Sequence, residues 1–263
     1  MSIQAEQVII GKNTVIEPSA TIRGINGKAK RIVIGDNVYI GNDVQIICDD
    51  FELGDYSKIQ HHTNVHGYLP CKIGHNAWIG QYTIIDSIGG TIIGNNCGIG
   101  AHSQLWSHIL YGDDLEGCNY NFRKNLIIGN DCWFVGHCIV SPIVASNKSM
   151  ALAGSVITKD MKENHIYGGS PAKDLTDKIL PQYREVSIEE KYKKMLEYYS
   201  QIGKPSSIKI IRDSSEITDS SVSYFDVSDR TYTKNLTEDE IKFMKFLLPT
   251  KAKFVPKIFN YAN

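Results

Sequence analysis

The chain has 263 residues, of which 42% are hydrophobic and 22% are charged, so it is long enough to bury one large core or two smaller ones. Its 28 Lys and Arg residues balance 29 Asp and Glu residues, which argues against a protein that is held to nucleic acid mainly by phosphate contacts. No run of about 18 apolar residues occurs, and the start lacks the basic and apolar regions of a signal peptide. We therefore expect no membrane span and a cytoplasmic location.

A six-residue unit recurs from Ile10 to about Thr158. It begins with an aliphatic residue, often followed by glycine, and has a small residue in the fifth place. Because one unit buries only one aliphatic side chain, three units must form a triangular coil and the coils must stack to make a core. The pattern predicts an all-β solenoid of short parallel strands, in which the glycines supply permissive backbone angles at turns. The predicted inward trios are Ile10, Ile16, Ile22; Ile34, Ile40, Ile46; Leu53, Ile59, Val65; Ile73, Ile79, Ile85; Ile93, Ile99, Leu105; and Ile128, Phe134, Val140.

The six cysteines contain no CxxC pair, which argues against a structural zinc site and a disulfide framework. Cys97, Cys132 and Cys138 occupy the fifth place of the unit, so we expect them to be small buried core residues. Cys118 lies outside the repeat in a polar segment and is the thiol to test for reactivity.

Four segments interrupt the repeat, and loops on a rigid scaffold are where binding chemistry concentrates. Three of them are short, at residues 24–31, 66–72 and 87–91. The fourth, Ser107–Asn125, is a long polar insertion between two regular coils. We take this insertion as the leading candidate for a site.

The remainder of the chain predicts a small α/β appendix. Ser187 and Glu190 form a capping box that opens a helix ending at Gly203, and Thr237 opens a second helix that is closed by Pro249. The expected domains are 1–165 for the solenoid with its insertion at 107–125, 166–203 for a connecting segment and helix, and 204–263 for the appendix. Strand-prone segments are Ile208–Ile211 and Val222–Val227, and the expected core aromatics are Tyr224, Phe225, Phe243 and Phe246.

Three motifs resemble the hexapeptide-repeat, left-handed β-helix acyltransferases over about residues 8–175. The first motif is GAHSQLWSHIL, followed by a polar loop and then by IIGNDCWFVG. It is similar to the segment of sugar and antibiotic O-acetyltransferases in which the catalytic histidine precedes a Trp-bearing coil. ALAGSVITKDM resembles the acyl-CoA-binding coil of that family, and GGSPAKDL resembles its terminal signature. The resemblance implies a left-handed parallel β-helix, acetyl-CoA as co-substrate, no metal requirement and a homotrimer with active sites between neighbouring prisms.

The resemblance also implies residue roles. His108 corresponds to the catalytic histidine, and an imidazole suits the task, because the hydroxyl or amine that attacks a thioester must lose a proton. The acidic residues of the insertion, Asp113, Asp114 and Glu116, are expected to orient His108, to bind sugar hydroxyls or simply to face solvent. The residues expected on acyl-CoA are Trp133, Gly136, Ala153, Gly154, Thr158, Lys159 and Lys173. The residues expected on the acceptor are His61, His62, Asn64, His66, Gln104, Trp106, Asp113 and Glu116.

These motifs together predict an acetyl-CoA-dependent O- or N-acetyltransferase. The expected acceptor is a sugar or nucleotide-sugar used in surface polysaccharide synthesis, with an antibiotic or amino acid as the second choice. Several outward side chains are apolar, which favours an interface between copies. They are Tyr39, Trp78, Ile84, Trp133 and Ile139.

Two other functions compete with acyl transfer. The segment QHHTNVHG, which contains His61 and His66, looks like the metal-binding stretch of gamma-class carbonic anhydrases. The third histidine ligand of those enzymes has no obvious counterpart here, and Cys48 or Asp49 would have to replace it. The second alternative is a non-catalytic solenoid scaffold, which would have no need for the acyl-CoA motifs.

Overall fold

The computed structural model describes residues 2–257. The chain forms two compact units, Met1–Tyr183 and Arg184–Asn263. Met1, which begins the first predicted domain, lies outside the described residues, as do residues 258–263, which end the last predicted domain. None of the helices within residues 2–257 is both long and apolar enough to cross a membrane.

The first unit is the left-handed parallel β-helix that the repeat and the resemblance predict. We number its three faces in the order in which the chain visits them. Face 1 contains Ala29–Ile34, Asp50–Leu53, Cys71–Ile73, Thr91–Ile93, Leu126–Ile128 and Val144–Ala145. Face 2 contains Val15–Ile16, Tyr39–Ile40, Lys58–Ile59, Trp78–Ile79, Gly98–Ile99, Trp133–Phe134, Met150–Ala151, Ile166–Gly169 and Ala172–Asp174. Face 3 contains Thr21–Arg23, Gln45–Cys48, Asn64–Gly67, Ile84–Asp86, Gln104–Leu105, Ile139–Val140 and Val156–Ile157.

One strand departs from this simple stacking. The first strand, Ser2–Ile10, pairs with Thr21–Arg23 through its beginning and with Ala29–Ile34 through its remainder. It therefore turns from face 3 to face 1 and joins the two faces into one sheet. All strand pairs between successive coils are parallel, so each residue lies above its equivalent in the previous coil.

The predicted inward side chains form one continuous core. Every member of the six trios from Ile22 onward is at most 2% exposed, and Cys97, Cys132 and Cys138 are buried as predicted. The prediction is wrong for Ile10, which is 42% exposed. Ile10 lies in the terminal coil, where only one neighbouring coil covers it.

Gly136 and Gly154 have positive φ as predicted, but the glycines in the second place of the repeat unit serve another purpose. Positive φ angles occur instead two residues later, as at Asn76, which follows Gly74. A Cβ on Gly74 would lie 2.5 Å from Asn95 Oδ1 and 2.8 Å from the Asn95 nitrogen of the next coil. These glycines are therefore required by the close approach of successive coils rather than by a left-handed backbone.

A ladder of polar side chains connects the coils at the corner between faces 1 and 2, the first corner. The Asn95 Oδ1 accepts the backbone N–H of His75 at 2.8 Å, and the Asn130 Oδ1 accepts that of Asn95 at 2.7 Å. One coil further, the Asn147 Oδ1 accepts the N–H of Asn130 at 2.8 Å. Each side chain thus satisfies a backbone donor of the preceding coil, which would otherwise be left without a partner at the turn.

The second unit is an α/β fold, as predicted. Strand Ser223–Asp226 pairs in parallel with Ile208–Ile211 and antiparallel with Thr231–Tyr232, which in turn pairs with Val255–Pro256. Its helices are Ile188–Gln201, Glu238–Leu247 and the short 3₁₀ helix Ser214–Glu216.

The predicted helix caps and aromatic core of this unit are present. Ser187 Oγ accepts the N–H of Glu190, and Thr237 Oγ1 accepts the N–H of Glu240, both at 3.2 Å. These two bonds satisfy free donors of the first helical turns. The predicted aromatics Tyr224, Phe225 and Phe243 are buried and Phe246 is half-buried.

Candidate active site

The insertion begins as a short hairpin that holds His108 at its base. His108–Ile109 pairs antiparallel with Phe122–Arg123, and His108 lies opposite Arg123. The carbonyl of Ser107, which is fully buried, accepts the N–H of Lys124 at 3.0 Å. His108 is therefore fixed to the solenoid, whereas most side chains of the connecting loop, residues 110–121, are exposed.

His108 makes a hydrogen bond to a buried carboxylate. Its Nδ1 lies 2.8 Å from Asp86 Oδ2, and Asp86 is 3% exposed. The same oxygen accepts the backbone N–H of Ser107 at 2.9 Å and the Ser107 hydroxyl at 2.5 Å. The Ser107 hydroxyl oxygen in turn accepts the N–H of Gly89 at 2.9 Å. Asp86 is thus held in place by three donors, one of which is the imidazole.

This pairing determines which nitrogen of His108 is available for chemistry. A carboxylate accepts hydrogen bonds, so Asp86 assigns the proton of the neutral ring to Nδ1 and leaves Nε2 as the basic nitrogen. The His108 side chain is 17% exposed, so it is shielded and still reachable. An imidazole oriented in this way by a carboxylate is suited to general base catalysis.

Sequence reasoning missed Asp86. It follows the inward-facing Ile85 at the end of a face 3 strand, immediately before the short interruption at 87–91. An acidic residue at a strand end one coil before the insertion was the available signal. The predicted acidic residues of the insertion are engaged locally: Asp113 Oδ1 accepts the N–H of Leu115, and Asp114 Oδ1 accepts the side chain of Asn121. Asp86 therefore orients His108, and acceptor binding by Asp113 and Glu116, both exposed, stays a prediction.

Three of the predicted acceptor residues lie on face 3, and a fourth, Trp106, follows its strand Gln104–Leu105 two residues before His108. Asn64 and Gln104 both pair with Ile84, so they lie in one outward column. His66 pairs with Asp86 across the same strands. The ring of Trp106 meets the His108 ring edge to face, with 6.0 Å between the centroids.

The other two predicted acceptor residues, His61 and His62, lie on the corner between faces 2 and 3, the second corner. His62 begins a column of stacked rings there, which we call the ring ladder: His62, Tyr82, His102 and His137. Successive ring centroids are 4.9, 5.1 and 4.8 Å apart. All four residues have positive φ and exposed side chains. The sequence contains the signal for this ladder, because the four residues share the fourth place of the repeat unit.

Five of the seven predicted acyl-CoA residues lie at two corners of the solenoid. Gly136 and Gly154 are stacked at the second corner, where the N–H of Gly154 donates to the Gly136 carbonyl at 2.9 Å. Ala153 precedes Gly154 and is exposed, and Trp133, which is 47% exposed, lies on the adjoining face 2.

Thr158 and Lys159 instead follow face 3, at the corner that leads to the next coil, the third corner. The N–H of Trp106 bonds to Val140 O and that of Ser141 to Ile157 O, which places Trp106, Ser141 and Thr158 on successive coils. Trp106 and Thr158 are therefore two coils apart, about 10 Å along the solenoid axis by strand spacing, and His108 follows Trp106 at this third corner. Lys173 is exposed on the hairpin that ends face 2.

The residues of the metal-site alternative are not arranged as a ligand set. Within residues 2–257, no group of three or more His, Cys, Asp or Glu side chains could hold a metal ion. His61 Nδ1 lies 2.9 Å from His62 Nδ1, and Cys48 Sγ donates to the carbonyls of Asp50 and Leu69. Burial raises the pKa of the Cys48 thiol, which works against the thiolate that zinc requires.

No family model matches the chain. It is 28% identical over 182 residues to the bifunctional protein GlmU of Listeria welshimeri, an alignment that covers 60% of this chain and 37% of that protein. The chain thus spans well under half the length of this curated relative.

Two of the similar solved structures are acyltransferases by their titles. The polySia-specific acetyltransferase NeuO is 18% identical, with 76% of this chain and 90% of that chain covered and a TM-score of 0.49. AntD, an N-acyltransferase from Bacillus cereus in complex with dTDP and 3-hydroxybutyryl-CoA, is 18% identical, with 76% and 91% covered and a TM-score of 0.40. The six-residue repeat and the order of its parallel strands show that the first unit is a β-helix built on hexapeptides. The resemblance that its motifs indicate is confirmed at the level of the fold.

Proposed function

We propose that the chain is an acetyl-CoA-dependent acetyltransferase that acts on a hydroxyl or amine of a sugar or nucleotide-sugar. The observation that carries the proposal is the buried Asp86–His108 pair at the base of the insertion, on the same corner as Thr158 and Lys159. A scaffold protein has no need to bury a carboxylate and aim it at a half-buried imidazole. The cytoplasmic location stays a prediction.

The geometry supports a proton-transfer role for His108. Its Nε2 accepts the proton of the acceptor hydroxyl or amine while the oxygen or nitrogen of the acceptor bonds to the thioester carbon. His108 then returns this proton to the departing sulfur as the C–S bond breaks. Asp86 stabilises the imidazolium that exists between these two transfers, because it is a negative group in direct contact with Nδ1.

The predicted acyl-CoA residues are compatible with a ligand that carries phosphates and an extended amide chain. Lys159 and Lys173 are exposed cations, which suits phosphate oxygens. At the second corner, Gly154 and the preceding Ala153 leave open space beside the backbone: a Cβ on Gly154 would meet no atom within 4 Å. Acetyl-CoA, when bound, supplies the activated acetyl group, and the chain supplies its position and the base.

We further propose a homotrimer, because one chain holds the two halves of the predicted site on different edges. His108, Thr158 and Lys159 lie at the third corner, whereas Gly136 and Ala153 lie at the second. A second copy that presents its second corner to the third corner of the first would complete the site. Exposed apolar side chains are available for this contact: Trp78, Trp133 and Ile139 are 43, 47 and 43% exposed.

Calorimetric titration with acetyl-CoA tests the proposed class. We expect saturable binding by the intact chain and binding at least about tenfold weaker in Lys159→Ala/Lys173→Ala, because each lysine loses a charge-assisted contact to phosphate. A matched control is Lys28→Ala/Lys30→Ala, which removes two exposed lysines from the opposite end of the solenoid. Binding that is absent, or equal in both double variants, would refute the acyl-CoA assignment.

Acetyl transfer to a panel of amino sugars, sugars and nucleotide-sugars then defines the acceptor. His108→Ala is the blank for each compound, since it removes the proposed base. Turnover that survives in His108→Ala would show that His108 is not the base for that acceptor.

A further inference from the structure

The second unit contains a cleft of about 580 Å³. One wall is the helix Ile188–Gln201 together with the segment that precedes it, and the other is formed by Val227, Arg230 and residues 251–254. This volume lies within the range of about 300–1,000 Å³ that is typical of small-molecule sites. No motif in the sequence of this unit indicates a chemistry.

The lining of the cleft is strongly basic. Residues 184–263 contain 14 Lys and Arg against 12 Asp and Glu, but the cleft has seven basic side chains against two acidic ones. Half of the basic residues of the unit therefore surround one cleft. They are Arg184, Lys191, Lys193, Lys194, Arg230, Lys251 and Lys253.

The two acidic residues of the lining are already paired. Glu190 accepts from the Arg184 guanidinium, and Glu197 accepts from Lys194 Nζ at 2.8 Å. In contrast, Lys191 and Lys251 form no ion pair with any described residue, and Lys251 Nζ lies 4.2 Å from the centroid of the Phe246 ring. Lys191 and Lys251 thus give the cleft positive charge that no described carboxylate pairs with.

The floor of the cleft is apolar. The half-buried Val186 and Tyr198 supply the apolar surface that a ligand can reach, and Met195, Val227 and Phe254, each at most 4% exposed, complete the lining. An apolar floor under a basic rim fits a ligand that has an anionic group at one end and a flat, weakly polar group at the other. An extended polyanion or an inorganic phosphate would use the rim alone and would leave the floor uncovered.

We propose that this cleft binds a nucleoside diphosphate, either free or as part of a larger molecule. The phosphates contact Lys191 and Lys251 at the rim, and the base covers the apolar floor. This inference does not depend on acyl transfer by the first unit, because every residue that carries it lies within residues 184–254.

Calorimetric titration of the full chain with UDP and with ADP tests the site. The background is Lys159→Ala/Lys173→Ala, so that the proposed acyl-CoA site does not contribute. Uridine serves as the phosphate-free probe, and inorganic phosphate as the probe for the rim alone. We expect a diphosphate to bind, with uridine and inorganic phosphate each at least about tenfold weaker, because each satisfies only half of the cleft.

The cleft variant is Lys191→Gln/Lys251→Gln, and its matched control is Lys204→Gln/Lys245→Gln, two lysines of the same unit outside the cleft. We expect the cleft variant to weaken diphosphate binding at least about tenfold and the control less than about twofold. Hydrogen exchange should show protection by UDP in Ile188–Gln201 and residues 251–256. The proposal is overturned if neither diphosphate binds, if both double variants bind equally well, or if protection is confined to residues 1–183.

Discussion

The reactivity proposed for His108 depends on one buried residue, Asp86. Asp86→Asn removes the negative charge, and its amide oxygen has two lone pairs for the three donors that Asp86 Oδ2 accepts. We expect kcat to fall by about 10²–10⁴ with little change in the KM for either substrate, because base catalysis contributes that much and binding is untouched. Steady-state kinetics with both substrates varied measure this split.

A matched control exists in the second unit. Asp213 Oδ1 accepts the N–H and the hydroxyl of Ser215 at 2.9 and 2.5 Å, and Asp86 Oδ2 accepts the same two groups of Ser107. Among the described residues, no histidine bonds to Asp213. Asp213→Asn should keep kcat within about twofold.

His108→Gly should recover part of its activity when imidazole is added, because the free base can occupy the vacated space. An Asp86→Asn enzyme with wild-type kcat would show that the carboxylate has only a structural role.

Asp174, next to Lys173, gives the first unit a specific response to acid. Burial raises the pKa of its carboxyl group, but hydrogen bonds from Thr176 and His165 outweigh burial and lower this pKa from 3.8 to about 2. A depressed pKa in the folded state adds stability that is present above the unfolded value near 3.8 and is lost as the pH falls toward 2. We expect Asp174→Asn to lower the melting temperature at pH 6, and the difference from wild type to shrink between pH 4 and pH 2.

Differential scanning calorimetry across this pH range measures the effect. Asp177→Asn, an exposed neighbour, is the control and should show a smaller difference from wild type at pH 6 than Asp174→Asn does. A difference between Asp174→Asn and wild type that is constant from pH 6 to pH 2 would contradict the linkage.

At the scale of elements, the solenoid depends on the side-chain ladder of the first corner. Asn95→Ala leaves the N–H of His75 without its acceptor, and an unsatisfied, partly buried donor costs about 1–3 kcal/mol. Asn95→Asp keeps the accepting oxygen and should cost less than about 1 kcal/mol. Urea unfolding of both variants tests the difference, and equal losses would show that the accepted N–H is not what Asn95 contributes.

The ring ladder of the second corner offers a separate test of inter-coil contacts. His102 stacks on both Tyr82 and His137, so His102→Ala removes two contacts worth about 0.5–1.5 kcal/mol each. Lys148→Ala is the matched control, because Lys148 has the same positive φ without a stacked ring. We expect His102→Ala to lower the free energy of unfolding by more than Lys148→Ala does, and a smaller loss would contradict a stabilising role for the ladder.

Much of the molecule could be predicted because the repeat itself encodes which side chains point inward. Ile34, Ile40 and their equivalents identify the coil, and a capping motif such as that at Ser187 identifies a helix start. The Asp86–His108 contact could not be predicted in the same way. It depends on how the chain returns to register after the interruption at 87–91 and on the hairpin that holds His108, and neither is set by the six-residue period.

At the scale of the whole molecule, the division of the proposed site between two corners predicts complementation between inactive chains. His108→Ala disables the third corner, and Ala153→Trp blocks the second corner with a bulky side chain. In a 1:1 mixture reassembled at random, about a quarter of the interfaces would pair an intact third corner with an intact second corner. We expect about a quarter of wild-type activity from this mixture and almost none from either variant alone.

The matched control uses two changes at one corner. Thr158→Trp blocks the third corner, which His108→Ala also disables, so each interface in a mixture of these two variants receives a defective third corner. We expect no recovery of activity from that pair. Sedimentation equilibrium should give the mass of three 29.4 kDa chains for every variant. If the mixture of His108→Ala and Ala153→Trp forms trimers but recovers no activity, each site is completed within a single chain. The proposed arrangement of corners would then be wrong.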